Sequence, residues 1–408
     1  MNPKLQCIRL SRFKLLPLIR SPVTPRRILF INYEYPPVGG GGGNAMRHIA
    51  REMARRGHAP FVLTAAQGRL PPIDVTDGVT VRRIPAFRRR VERSAIPEML
   101  AFMVSSMLAA PGYARQWRAD AAIAFFTLPC GPTASLLKRT NGLPTIVALR
   151  GGDVPGFDPL TMKTYHALTG GLIKWLWHDA DAVIANSEGL ADMARAHDPK
   201  QQVGVISQGA DTAGIAAKTT YPVREIVELL TVGRLAVHKG LDVLLTALAQ
   251  LAPDLSWRLS IVGDGPERAA LNAQVSRLGL TARVTFKGWA KRDALPAIYR
   301  DTDLFLLPSR EEGMANVLME AMCAGLPSIA TRIAGSSEAV IDSETGLLVP
   351  SEDAPALARA LEALIRDPAA RERMGRAARA RVEQTYSWPV ITDQWLDIVE
   401  RIIQKQGA

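Results

Sequence analysis

From residue 27 to about residue 350, short apolar or β-branched runs alternate with stretches of helical spacing, and this alternation constrains the fold more than any other feature. Repeated strand–helix units predict parallel sheets covered by helices on both faces. In the first half the predicted strands are 28–32, 61–65, 79–84, 122–126, 145–149, 182–185 and 203–206. After a weakly patterned stretch, 213–222, a second series begins: 228–232, 259–262, 284–286, 304–307, 328–331 and 347–349, with helices predicted over 241–251, 267–278 and 354–366. The chain therefore reads as α/β, with two doubly wound, Rossmann-like parallel-sheet domains facing a cleft. Its 408 residues suit that reading at about 100–200 residues per domain.

The expected division is a flexible basic extension over 1–26, a first domain over 27–210, a second over 211–385 and a closing helix over 386–408. In that last segment Val390, Ile391, Trp395, Ile398, Val399, Ile402 and Ile403 recur near helical spacing, so one face should be buried on one of the two domains. Doubly wound sheets bind ligands at the carboxyl ends of their strands, and two facing domains make a ligand cleft.

Charge narrows the partners. Residues 1–27 carry seven Lys and Arg and no acid; residues 28–210 carry 20 basic and 14 acidic side chains; residues 211–408 carry 23 and 25. The excess of +11 thus sits in the first half. No helix-turn-helix, zinc-finger or RNP-type aromatic motif accompanies it, so nucleic acid is not expected; an anionic substrate or a membrane surface fits better. The densest basic run, Arg82, Arg83, Arg88, Arg89, Arg90 and Arg93, adjoins an apolar stretch over 96–108. It suits either a membrane surface or a solvated loop beside a core helix.

No run reaches the roughly 18 apolar residues of a spanning helix, and the amino-terminal tail lacks a signal-peptide core. Cys7, Cys130 and Cys323 lack disulfide or zinc-ligand spacing, which favours a reducing cytoplasm. No metal is expected.

The stretch YEYPPVGGGGGNAMRHIA, residues 33–50, formally contains the dinucleotide fingerprint G-x-G-x-x-A at Gly40, Gly42 and Ala45. That reading fails on context. Pro36-Pro37 prevents a tight turn from the strand, and no acid follows the second strand before Asp74, where a ribose ligand would be needed.

The second domain carries more chemistry. Arg234 and Lys239 fall in the loop after a strand and before a helix, where a guanidinium and an ammonium can share the oxygens of a diphosphate. Glu312 and Glu320 follow, eight residues apart, in PSREEGMANVLMEAMCAGLP. A helix starting near Ala315 would place Glu312 at the cleft mouth and Glu320 two turns inside, with free amides at its start available to an anion. Carboxylates repel phosphate, so the two glutamates suit sugar hydroxyls.

In order and spacing, Gly233-Arg234 through Lys239-Gly240, then Gly263-Asp264-Gly265, then Glu312 to Glu320, resemble the retaining GT-B glycosyltransferases of family 4. The resemblance spans about residues 28–403 and includes Asn186-Ser187 and Gln208-Gly209-Ala210-Asp211. It implies transfer of a sugar from a nucleotide-sugar to a saccharide or lipid-linked acceptor in bacterial surface polysaccharide synthesis, in the cytoplasm or peripherally on the inner face of the plasma membrane. By resemblance Arg234, Lys239 and Glu312 are catalytic, the cations on the diphosphate and Glu312 on the transferred sugar. The donor would also meet Gly39, Gly40, Gly41, Gly233, Gly263, Gly265, Lys287, Gly313, Met314, Ala315, Asn316 and Val317, with Glu320 on the ribose. The glycines at 39–43 become a flexible phosphate-facing loop.

One departure stands on the acceptor side. Many relatives carry His-Gly-x-Asp where this chain has Arg150-Gly151-Gly152-Asp153; arginine is no base at neutral pH, but it can bind donor phosphate or acceptor charge. Two alternatives keep the site and change the activity: a nucleotide-sugar epimerase of the same fold, and a non-catalytic nucleotide-sugar-binding partner of another transferase.

Overall fold

The computed structural model describes residues 24–89, 94–157 and 162–407. Most of the basic extension, residues 1–23, and Arg90 and Arg93 of the basic run lie outside the described residues. Arg26, expected in the flexible extension, is instead fixed: its guanidinium forms two 2.7 Å hydrogen bonds to Glu400.

The first sheet contains β1 (Arg27–Ile31), β2 (Ala59–Gln67), β3 (Ile73–Thr76), β4 (Val79–Arg88), β5 (Ala121–Phe125), β6 (Thr145–Leu149), β7 (Ala182–Ala185) and β8 (Gly204–Val205), in the order β3-β4-β2-β1-β5-β6-β7-β8. All its pairings are parallel except β3 with β4. β5 and β6 are buried at every position, as strands covered by helices on both faces must be.

The second sheet contains β9 (Val227–Val232), β10 (Trp257–Val262), β11 (Val284–Gly288), β12 (Leu304–Leu307), β13 (Ser328–Thr331) and β14 (Gly346–Val349), ordered β11-β10-β9-β12-β13-β14 and wholly parallel. In each sheet the chain winds outward from a central strand, then returns to wind the other way. The reversal falls between β1 and β5 in the first sheet and between β9 and β12 in the second, which fixes where a ligand can enter.

The chain crosses between the domains twice, and the crossings touch: the Ala210 amide donates to the Tyr386 carbonyl at 2.7 Å. Beyond the second crossing, the helix Trp388–Gly407 returns to the first domain, where Trp388, Ile391, Trp395, Val399 and Ile402 join the core of Ile28, Phe30, Met46 and Ile49. Those five positions follow helical spacing. His48 stacks on Trp388 with ring centroids 4.8 Å apart. His58 lies just past the end of the helix that follows the glycines, which spans Gly41–Arg55.

Candidate active site

The second-domain site is built by two loops leaving adjacent strands. After β9 the chain passes Gly233 and Arg234, makes a short turn at Val237–Lys239 and enters the helix Leu241–Leu248. After β12 it runs through Pro308–Ala315 into the helix Asn316–Cys323. Where they part, the Lys239 ammonium pairs with the Glu312 Oε1, which also accepts from Ser309 Oγ at 3.2 Å. Arg310 clamps the loops together: its guanidinium meets Asp242 at 2.9 and 2.7 Å and reaches Glu352, while its amide donates to the His238 carbonyl at 2.7 Å. These carboxylates raise the Arg310 pKa, chiefly through the Asp242 hydrogen bonds. At Gly240 (φ +62°) a Cβ would stand 2.1 Å from the Pro308 carbonyl oxygen, so the approach needs glycine.

The Gly263-Asp264-Gly265 turn supports this loop from behind. A Cβ on Gly263 would lie 1.8 Å from the Gly233 oxygen, and one on Gly265 2.2 Å from the Leu235 oxygen. Both glycines, expected to meet the donor, thus lie packed against the backbone that carries Arg234. Arg234 is exposed and has no ion pair among the described residues. Lys287 is exposed on the edge strand β11, two strands from β9, and is not brought beside Lys239.

The helix Asn316–Cys323 has no side-chain cap, so the amides near Gly313–Val317 are not capped by a side chain. Met314 and Ala315 are buried, while Gly313, Asn316 and Val317 are half-buried. Glu320 lies one turn, not two, inside this helix, where it accepts from the Tyr299 hydroxyl at 3.0 Å. It faces a cavity of about 370 Å³ lined also by Asp293, Leu295 and the first domain's Asn44, Arg47 and Arg51. Sequence reading missed these two arginines as cleft residues, although they follow the glycine run at i, i+4 spacing on one helix face.

In the first domain the glycine run meets the reversal between β1 and β5. The Gly40 amide donates to Glu34 Oε2 at 3.0 Å, and the helix begins at Gly41, so part of the expected flexible loop is helical. The glycines answer close approaches. A Cβ at Gly39 (φ +99°) would strike Glu34 at 2.4 Å, one at Gly42 would strike Phe126 at 2.7 Å, and one at Gly41 would come within 3.0 Å of Asn316 across the cleft.

The loop after β6 separates its two expected acceptor-side residues. Asp153 does not line the cleft: its buried carboxylate accepts from Thr127 N (2.8 Å), Thr127 Oγ1 (3.2 Å), Arg150 N (2.9 Å) and Gly151 N (3.0 Å). It shapes the loop. Burial still pushes its pKa up. Arg150 does line the cleft, with its guanidinium 4.2 Å from the Phe125 ring centroid and 3.4 Å from Gln208 Oε1. Burial lowers its pKa to about 10, which leaves it cationic at neutral pH.

Between the domains these parts enclose a cavity of about 450 Å³, with Tyr33, Glu34, Phe126, Arg150 and Gln208 on one side and Glu311, Glu312, Gly313 and Asn316 on the other. That volume suits a small organic ligand, and its polar lining suits hydroxyl groups. Tyr33 and Glu34 carried no sequence signal beyond their place beside the glycines, and Phe126 none beyond its place at a strand end. Among the described residues no group of three or more His, Cys, Asp or Glu is placed to hold a metal ion.

Two family models match the chain: "Glycosyltransferase Family 4" over residues 39–213 and "Glycosyl transferases group 1" over residues 224–381. Glycogen synthase of Mycobacterium tuberculosis is 30% identical over 387 residues, covering 90% of this chain and 92% of the relative. Among solved structures, sucrose-phosphate synthase of Thermosynechococcus elongatus superposes with a TM-score of 0.77 at 23% identity, over 93% of this chain and 100% of that one. HepE of Anabaena, crystallised with UDP, gives a TM-score of 0.71 at 20% identity, over 92% of this chain and 100% of its own. The fold is GT-B, and the chain belongs to the group 1, family 4 glycosyltransferases.

Proposed function

We propose that this glycosyltransferase moves a sugar from a nucleotide-sugar to a saccharide or lipid-linked acceptor with retention of anomeric configuration. The observation that carries the reading is the Lys239–Glu312 pair at the reversal of the second sheet. An ammonium has three donors and a carboxylate two acceptor oxygens, so each group keeps capacity beyond their mutual contact. Lys239 can hold a diphosphate oxygen while Glu312 accepts a sugar hydroxyl, which brackets the bond that breaks. Arg234 and the amides at Gly313–Val317 share the charge that grows on the departing diphosphate. No metal is required in this reading.

The acceptor enters from the first domain, beside Arg150 and Gln208. A polymer-building role draws support from the relative named glycogen synthase; that the polymer is a bacterial surface polysaccharide is part of the proposal.

The work site we infer is the cytoplasmic face of the plasma membrane. Among the described residues no helix is long and apolar enough to cross a membrane. The helix Ile96–Trp117, however, buries Phe102, Ala110 and Ala114 on one face and exposes Ile96, Leu100, Val104 and Leu108 on another. A helix apolar on both faces suits docking against lipid.

Product analysis with a panel of labelled nucleotide-sugars, with and without lipid extract, tests the reading. Transfer to an acceptor with the donor's anomeric configuration supports it. An epimerised nucleotide-sugar formed without acceptor would instead favour an epimerase, and no turnover of any donor a non-catalytic binder.

A further inference from the structure

We propose that Arg150 forms an anion subsite in the cleft, and that one of the two sugars bound there carries a carboxylate or a phosphate. This rests on the transferase reading and names the substrate class more closely.

Arg150 is the one cation among the described residues lining the cavity of about 450 Å³. No carboxylate reaches its guanidinium. Asp153, the acid nearest in sequence, is turned onto two amides and the Thr127 hydroxyl, and it meets Arg150 through the backbone amide at 2.9 Å. The guanidinium has a 3.4 Å contact to the neutral Gln208 side chain and lies over the Phe125 ring. Its Nε is buried without an acceptor among the described residues.

Arg150 is half-buried, its Nε is shut off from water without an acceptor among the described residues, and no carboxylate touches its guanidinium; the cost of that burial is relieved by an anion that accepts its free donors. Its planar fork matches a carboxylate or phosphate better than a hydroxyl. The Phe125 ring covers one side of the guanidinium, so the anion arrives from the cavity side. Of the three carboxylates on the cavity, Glu34 is engaged by the Gly40 amide and Glu312 by Lys239, and Glu311 makes no ion pair with Arg150 among the described residues, which leaves Arg150 free for substrate.

The proposed anion has two sources, the transferred sugar or the acceptor, and paired ligands separate them; an Arg150 taken up by the donor diphosphate instead would leave neutral and anionic members equal and so overturn the proposal. Affinities of the full chain are measured for UDP-glucose against UDP-glucuronate and GDP-mannose against GDP-mannuronate. Glucose is then compared with glucuronate and with glucose 6-phosphate in the presence of UDP. In one arm the anionic member should bind about tenfold or more tightly than its neutral counterpart, and the preference should shrink with added salt. In Arg150→Gln the ratio should fall to about one, and in Arg150→Lys it should be partly retained. The salt response of the unaltered chain gives a reading that does not depend on either variant folding. Equal affinity for neutral and anionic members in both arms, or a preference that survives Arg150→Gln, overturns the proposal and leaves the transferase reading standing. A chain that binds no nucleotide-sugar overturns both.

Discussion

Lys239 and Glu312 form an ion pair across the point where β9 and β12 part, each side chain 16% exposed. The pair bridges two loops, so it has a structural role as well as a proposed chemical one. Exchanging the charges separates them. Lys239→Glu and Glu312→Lys should each lower the melting temperature, because each leaves like charges facing one another. The double exchange should recover most of that loss while transfer stays near zero, as the diphosphate would then meet the carboxylate first. Thermal unfolding and transfer assays on the three variants check this.

Two glycines should respond in opposite ways. Gly263→Ala drives a methyl into the Gly233 carbonyl at a φ of +139° and should cost about 2 kcal/mol or more. At Gly313 a Cβ meets nothing within 4 Å and points into open space beside the cavity. Gly313→Ala should leave stability within about 0.5 kcal/mol but raise the KM for donor. Unfolding curves and steady-state kinetics on both variants distinguish a supporting glycine from a cavity-facing one.

Acid sensitivity should trace in part to His58. Burial holds its imidazole below the ordinary value of 6.5, with Nδ1 accepting the Arg26 amide at 3.1 Å and Nε2 buried without an acceptor among the described residues. The unfolded chain therefore takes up this proton at a higher pH than the folded chain. Below about pH 6.5 the unfolded state binds more protons and stability falls as pH drops; above it the contribution is flat. Melting temperatures between pH 7.5 and pH 5 should decline less steeply in His58→Gln than in the unaltered chain.

Much of the architecture was legible because its signal is periodic. Apolar runs at strand length, separated by helical spacing, located both sheets and the restart between them. The antiparallel β3 was missed because Ile73 and Val75 are exposed and the run is short. Its turn was nonetheless written in the sequence: Asp77-Gly78, both at positive φ, is a hairpin signal. The site divided along similar lines. Lys239, Glu312 and the uncapped helix start lie in one local stretch each, so spacing could find them. The engagement of Asp153 by Thr127, and the placement of Arg47 and Arg51 opposite Glu320, depend on contacts between distant elements. No local pattern encodes those.

Membrane docking has its own test. Leu100 and Leu108, 51% and 81% exposed, lie on the outer face of their helix. Replacing both with glutamate should abolish flotation with vesicles containing anionic lipid, while melting temperature and transfer to a soluble acceptor stay unchanged. Retained flotation would place the lipid contact elsewhere.

Lys239 and Glu312 are proposed to handle the diphosphate and the sugar of a nucleotide-sugar. That role is tested most directly by donor turnover, as transfer or hydrolysis, in Lys239→Ala and Glu312→Ala. Each should lose about 100-fold or more in kcat, with folded structure confirmed by circular dichroism. Unchanged turnover in both folded variants would contradict the account.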